Sequence, residues 1–249
     1  MTVEEISDKK PHLKDALGLY SKVQKFEKSV IDLNMSVDAN YTTYPPQLLG
    51  VIFKSFSSVF DIPEEFLSSL KEAMELGRID LTRLPLDEAP AFSLPYHEEE
   101  LSGLLFLISK PFFVLLKNSL NKGEPIFWQE GRCPVCHALP SLSFIGRDDA
   151  RRLHCSYCEY TGPWHRIGCT NCQNRDSKKI DILEAEQEKG FRLDLCNECK
   201  SYIKTAGSHL LGDYAPELLD IMSIPLDIIA QGKGYRRHSP NPIGIKIIK

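Results

Sequence analysis

The chain has 249 residues, 42% of them hydrophobic and 26% charged, with a formal net charge of −4. That composition belongs to an ordinary folded protein and excludes a disordered chain. From Gly131 onward 17 Lys and Arg face 14 Asp and Glu, whereas the preceding residues carry 13 against 20; the split points to separate domains, and the C-terminal excess is too thin for the basic stripe of a nucleic-acid binder.

Residues 1–128 read as a helical domain. Leu13, Leu17, Tyr20, Val23, Phe26, Val30 and Leu33 recur at steps of three and four, one face of a helix. Asn40 to Tyr44 is a polar break, and Pro46 then suits a first helical turn ahead of Leu49, Ile52, Phe53, Phe56 and Phe60. Pro63 starts a third helix through Phe66, Leu67, Leu70 and Met74, with Gly77 as a left-handed cap. Ile79 to Tyr96 carries three prolines and reads as irregular. A fourth helix runs from Glu98 through Leu101, Leu105, Ile108, Phe112 and Leu116 to a stop at Asn121-Lys-Gly123, kinked at Pro111.

These apolar stripes read as core. His12 and His97 lack a ligand partner nearby, and Glu98-Glu-Glu100 suits the positive end of a helix dipole, so none is given chemistry. Leu104 to Leu116, the most apolar run, is 13 residues long, short of the roughly 20 that span a bilayer. The start, Met1-Thr-Val-Glu-Glu, offers no basic segment before an apolar core, so no secretion signal is expected.

All eight cysteines fall within 67 residues, as Cys133-Pro-Val-Cys136, Cys155-Ser-Tyr-Cys158, Cys169-Thr-Asn-Cys172 and Cys196-Asn-Glu-Cys199. Two thiols separated by two residues curl around one cation, and four thiolates complete a tetrahedral shell, so the pairs read as two four-cysteine sites. Leu139, Leu142 and Phe144 lead into a polar turn from which Ala150 to Cys155 returns. Ile180 and Ile182, then Phe191, Leu193 and Leu195, repeat the pattern. Alternation at a period of two on both sides of a turn is the hairpin signature, and the chain therefore holds a tandem repeat of knuckle, hairpin, knuckle. After Cys199, a helix is expected from Pro216, interrupted at Pro225, ahead of an extended tail from Tyr235 to Pro242.

The units span 26 and 31 residues, below the roughly 40 at which a domain usually folds unaided. A four-thiolate cation supplies an apparent ~10–16 kcal/mol, the scale required. Sequential pairing encloses one hairpin per site and is supported by the repeat; an interleaved cross-brace remains open from spacing alone. The ligands accept zinc or iron equally. His137, Glu159, Gln173 and Lys200 stand where an electron-transfer rubredoxin would have glycine, which argues against a tuned redox centre. His137, His154 and His165 lie nearby, but each site already has four thiols, so supporting roles are expected. Arg132, Arg147, Arg151, Arg152 and Arg166 are expected to balance the −2 of a four-thiolate site with a divalent cation. Clustered thiols and no export signal suit a reducing cytoplasm. No Ser-His-Asp arrangement, phosphate loop or His-Glu-x-x-His helix occurs, so no catalytic site is expected. Two other readings are a nucleic-acid-binding zinc ribbon, using Lys178-Lys179, Arg192 and Arg236-Arg237, and a redox protein using a dithiol or an iron centre.

The chain resembles the FdhE family of formate dehydrogenase accessory proteins. The resemblance rests on Cys133-Pro-Val-Cys136, on Leu153-His-Cys155-Ser-Tyr-Cys158, and on Arg166 three residues before Cys169-Thr-Asn-Cys172. It continues through Cys196-Asn-Glu-Cys199-Lys-Ser-Tyr202-Ile-Lys204 and closes with Gly234-Tyr-Arg-Arg and Ser239-Pro-Asn-Pro242. In the family a Trp-His follows the second pair closely; here Trp164-His165 comes two positions later, after Gly162-Pro163. The resemblance implies an α+β chain with an N-terminal α-helical domain (1–128) and two tandem rubredoxin-like, zinc-ribbon four-cysteine metal modules (129–167 and 168–249), the second carrying the C-terminal helix and tail. It implies sequential pairing, with Cys133, Cys136, Cys155 and Cys158 holding one metal ion and Cys169, Cys172, Cys196 and Cys199 the other. Iron is the metal in some members. It further implies a cytoplasmic, non-enzymatic factor; the short apolar run and the thin basic excess add that neither membrane insertion nor nucleic-acid binding is expected. Such a factor binds the catalytic subunit of a formate dehydrogenase that carries a molybdenum or tungsten cofactor and is exported after folding.

Overall fold

The computed structural model describes residues 2–38, 43–86, 94–120, 123–146 and 148–246, and for Glu99 the backbone alone. Asn40 of the polar break, residues 87–93, the Asn121-Lys122 stop and Arg147 lie outside the described residues.

Helix α1 (Val3–Lys9) opens with a capping box: the Glu5 amide donates to Thr2 Oγ1 at 3.3 Å, and the Thr2 amide donates to the Glu5 carboxylate at 2.8 Å. Helix α2 (Lys14–Ile31) buries Leu17, Tyr20, Val23, Phe26 and Val30, the face read from its periodicity. It packs on α3 (Pro46–Phe60), with the rings of Phe26 and Phe56 edge-on at 5.2 Å. Helix α4 (Ser68–Glu75) is preceded by a 3-10 turn, Glu64–Leu67. That tighter turn leaves Phe66 exposed against Tyr96, ring centroids 5.7 Å apart, rather than inward as the periodicity suggested. Leu33 is exposed too, because α2 stops at Ile31. Gly77 takes φ 65° at the end of α4, the cap anticipated.

Helix α5 (Glu98–Leu120) is the centre of the domain. Every residue from Leu105 to Leu116 is buried, which is why the run is apolar around its whole circumference. It remains helical through Pro111. Lys110, 1% exposed, survives in this core because Glu27 of α2 approaches its ammonium at 2.7 Å.

The C-terminal half forms one six-stranded sheet in the order β3-β2-β1-β6-β5-β4. The expected hairpins are β1 (Leu142–Ile145) with β2 (Arg151–His154), and β4 (Ile180–Leu183) with β5 (Phe191–Cys196), both antiparallel. Strand β3 (Thr161–Trp164) extends the first, and β6 (Ser201–Gly207) extends the second. Strand β6 also runs parallel to β1, with Leu142 opposite Lys204 and Phe144 opposite Ala206, and so joins the two repeats edge to edge. Helices α6 (Pro216–Met222) and α7 (Ile224–Gly232) lie against this sheet, divided at Ser223 just before Pro225.

A buried ion cluster fixes them there. Lys204 Nζ lies 2.6 Å from both Asp220 and Asp227, and Arg237 in the tail reaches the same two carboxylates at 2.6 and 2.8 Å. Burial alone would raise Asp227, but Arg237 and Lys204 outweigh it and hold the carboxyl below its usual range. Two cations and two anions cancel, so no uncompensated charge is left in the interior.

Candidate metal centres

The structure brings the cysteines together sequentially: Cys133, Cys136, Cys155 and Cys158 in one cluster, Cys169, Cys172, Cys196 and Cys199 in the other. Within each, the four sulfurs lie within 4.8 Å of one another. Facing sulfurs are 3.4 Å apart in Cys133–Cys158 and Cys136–Cys155, 3.5 Å in Cys169–Cys199 and 3.7 Å in Cys172–Cys196. A disulfide needs about 2.05 Å, whereas sulfurs about 2.3 Å from a central zinc lie roughly 3.8 Å apart at tetrahedral angles. The separations fit the second arrangement.

The first three knuckles are built the same way. The amide of the residue after the pair donates to the carbonyl of the first cysteine: His137 to Cys133, Glu159 to Cys155 and Gln173 to Cys169, at 2.9–3.0 Å. The first cysteine's own amide returns to the carbonyl five residues on, as in Cys133 to Ala138 and Cys155 to Tyr160. This turn places the residue after the pair in the left-handed region, and His137, Glu159, Gln173 and Lys200 have φ of 55–62°. Glycine is absent from these positions but its conformation is not, so its absence carries no argument about redox tuning.

Three of those side chains tie the knuckles down. Glu159 pairs with Lys110 of α5 at 3.2 Å. Gln173 donates to the carbonyls of Glu130 and Thr170, and Lys200 lies over the Tyr235 ring at 5.2 Å. Beside the third knuckle, Gly131 (φ 66°) comes so close that a Cβ would sit 2.6 Å from the Thr170 carbonyl oxygen. Tyr157, inside the second pair, plugs the helical domain: its ring meets Phe106 at 4.7 Å and Phe113 at 5.8 Å, and its hydroxyl donates to the Leu84 carbonyl.

In the first cluster the sulfurs perturb one another. Burial pushes the Cys136 and Cys158 thiols well up, while hydrogen bonds from the other sulfurs outweigh burial at Cys133 and hold it well down. A divalent ion bound among the four sulfurs would hold all of them as thiolates. In the second cluster burial raises Cys199, but Ser201 and Asn171 outweigh it and draw the thiol down to about 6. The Ser201 hydroxyl lies 3.1 Å from Cys169 Sγ and 2.9 Å from Cys199 Sγ. Sequence reasoning missed this serine, whose small polar side chain gives no pattern of its own.

The neighbouring histidines and arginines serve other contacts. His154 is 2.8 Å from Glu217 of α6 through Nε2 and 2.8 Å from Thr161 through Nδ1. Burial opposes ionisation of Glu217, yet His154 holds its carboxyl down to about 2. His165 stacks edge-on with Phe127 and Trp164. Arg151 is buried, bonds Ser143 and the Gly168 carbonyl, pairs with Asp194 of β5 at 3.0 Å, and lies 5.2 Å from the centre of the Trp164 ring. It therefore bridges the two repeats. Arg152 and Arg166 pair with Asp148 and Asp149, and Arg132 bonds the His137 carbonyl.

The architecture is that of a helical domain fused to a zinc-ribbon-type sheet bearing two four-cysteine clusters able to hold metal ions. A family model described as "FdhE, C-terminal domain" matches residues 167–243. The chain is 34% identical over 121 residues to the protein FdhE homolog of Aquifex aeolicus (strain VF5), covering 47% of this chain and 43% of that protein. It is 37% identical over 114 residues to the protein FdhE homolog of Haemophilus influenzae (strain PittGG), covering 44% and 37% respectively. The matched stretch thus spans less than half the length of these relatives. The crystal structure of the FdhE protein from Pseudomonas aeruginosa shares the fold, with a TM-score of 0.70 at 16% identity over 97% of this chain and 92% of that one. The chain is thus similar to FdhE proteins across its cysteine-rich half, and shares a fold with one along nearly its whole length. Among the described residues, no helix is long and apolar enough to cross a membrane.

Proposed function

We propose that the eight cysteines hold two metal ions, iron or zinc, in sequential four-cysteine sites. In this reading a helical domain (1–128) and two metal modules (129–167 and 168–249) make up a cytoplasmic accessory protein without catalysis of its own. Its role is to assist maturation of formate dehydrogenase by binding the catalytic subunit. The observation that carries the proposal is the pair of four-sulfur clusters in a chain whose residues 167–243 match the FdhE C-terminal domain. Ligation by thiolates would supply folding energy, since neither repeat has the size to fold unaided. The chain's own residues then hold that shape: Tyr157 and Glu159 dock the first module on the helices, and Arg151 joins the second module to it.

The cations needed for a nucleic-acid reading are largely engaged elsewhere. Lys179 pairs with Glu198, Arg192 with Asp194, and Arg237 lies buried between Asp220 and Asp227. Affinity capture from the native host tests the proposal: recovery of a formate dehydrogenase catalytic subunit supports it, and repeated capture without any subunit of that enzyme counts against it.

A further inference from the structure

We infer that the two clusters differ in kind: Cys169, Cys172, Cys196 and Cys199 form a metal site open to ligand exchange, and Cys133, Cys136, Cys155 and Cys158 a permanent one. The inference rests on the reading that both clusters hold metal, and it assigns them different roles.

The first cluster is sealed. Its four cysteines are at most 1% exposed. Tyr157 is wedged between Phe106 and Phe113, and Glu159 is paired with a lysine in the middle of α5. A competing donor reaches these sulfurs only when the helical domain is pulled from the sheet. The second cluster stands differently. Cys172 is exposed and Cys199 partly so, although Cys169 and Cys196 are buried. Its third knuckle is held from outside by Gln173 and the close approach of Gly131, and it carries Thr170-Asn171 where the second knuckle has Ser156-Tyr157.

Exchange in a four-thiolate shell needs a donor to approach while one sulfur departs. Cys172 supplies the departing sulfur. An incoming thiolate or a chelator's nitrogen or carboxylate forms one bond to the cation as the bond to Cys172 Sγ breaks. The freed thiolate stays ionised or takes a proton from water, and nothing is oxidised or reduced. Ser201 opposes this opening by offering its hydroxyl to Cys169 and Cys199, the supporting contact that orients a ligand sulfur.

The whole protein loaded with two equivalents of Co²⁺ tests the assignment, because thiolate-to-cobalt absorption reports each site. Challenged with excess EDTA, it should lose one ion about tenfold or more faster than the other. Ser201→Ala should speed the fast phase by about tenfold and leave the slow phase unchanged. Brief iodoacetamide treatment of the unmodified loaded protein, with peptide mass mapping, should label Cys172 first. Release of both ions in one phase, acceleration of the slow phase by Ser201→Ala, or first labelling within Cys133–Cys158 would overturn the inference. Absence of the cobalt band at the outset would instead sink the metal reading, and this assignment with it.

Discussion

The carboxylate of Glu159, directly after the second cysteine pair, lies 3.2 Å from the ammonium of Lys110 in the middle of α5. Its backbone holds φ 58°, a conformation that costs an L-residue roughly 1–2 kcal/mol and glycine nothing. His137 holds φ 62° at the equivalent position of the first pair, but its side chain is exposed. The same substitution should therefore act in opposite directions. His137→Gly should stabilise the metal-loaded protein by ~0.5–1 kcal/mol once the added freedom of the unfolded chain is deducted. Glu159→Gly should destabilise it by ~1–3 kcal/mol, because the buried Lys110 loses one of the carboxylates paired with its ammonium. Urea denaturation of the two variants checks both signs.

Tyr157 links a cysteine knuckle to the helical core, and its ring and hydroxyl can be separated. Tyr157→Ala should cost ~3–5 kcal/mol by opening a cavity between Phe106 and Phe113. Tyr157→Phe should cost only ~1 kcal/mol, the bond to the Leu84 carbonyl. Comparable losses in the two variants would show that the ring does not anchor the module.

Glu27 gives the fold a particular pH dependence. Burial pushes its carboxyl up to about 7 despite the opposing Lys110, which is kept protonated by Glu27, Glu159 and Glu217. A carboxyl with a raised folded-state value binds its proton more tightly in the native protein than in the unfolded chain. Its contribution is therefore fully present below the ordinary value of 4.5 and lost as pH rises through about 7. The decline amounts to ~3 kcal/mol. Glu27→Gln should flatten it, and the difference in unfolding free energy between wild type and variant from pH 4.5 to 7.5 isolates the effect from the common pH dependence of metal binding.

In the cluster of Lys204, Asp220, Asp227 and Arg237, removal of one charge should hurt more than removal of a balanced pair. Lys204→Met leaves two buried carboxylates with one cation and should cost ~3–5 kcal/mol. Lys204→Met with Asp227→Asn restores neutrality and should cost clearly less than the two single changes added together. Strict additivity in a double-mutant cycle would mean that the four groups do not act as a unit.

What the sequence made legible is what is local. Cys-x-x-Cys spacing, period-two alternation in the two hairpins and the helical stripes of α2 and α3 are written within a few residues, and the structure follows them. Strand β6 escaped because Lys204 interrupts its alternation; that lysine is buried only through Asp220 and Asp227, whose proximity is a property of the fold. Arg151 was read as part of a charge shell around the first cluster, since its partner Asp194 lies in the other repeat and becomes a neighbour only through the parallel pairing of β1 with β6. The lack of glycine after each pair was read only as evidence against redox tuning; the left-handed turn there went unread, and three of those residues are held by contacts distant in sequence. Pattern reveals elements; it does not reveal which distant charge makes a buried lysine tolerable.

Elemental analysis with thiol counting on anaerobically isolated protein bears most directly on the account. Two iron or zinc ions per chain with eight reduced cysteines is the result it requires, falling to one ion in Cys133→Ser. Protein without stoichiometric metal, its cysteines paired as disulfides, would contradict it.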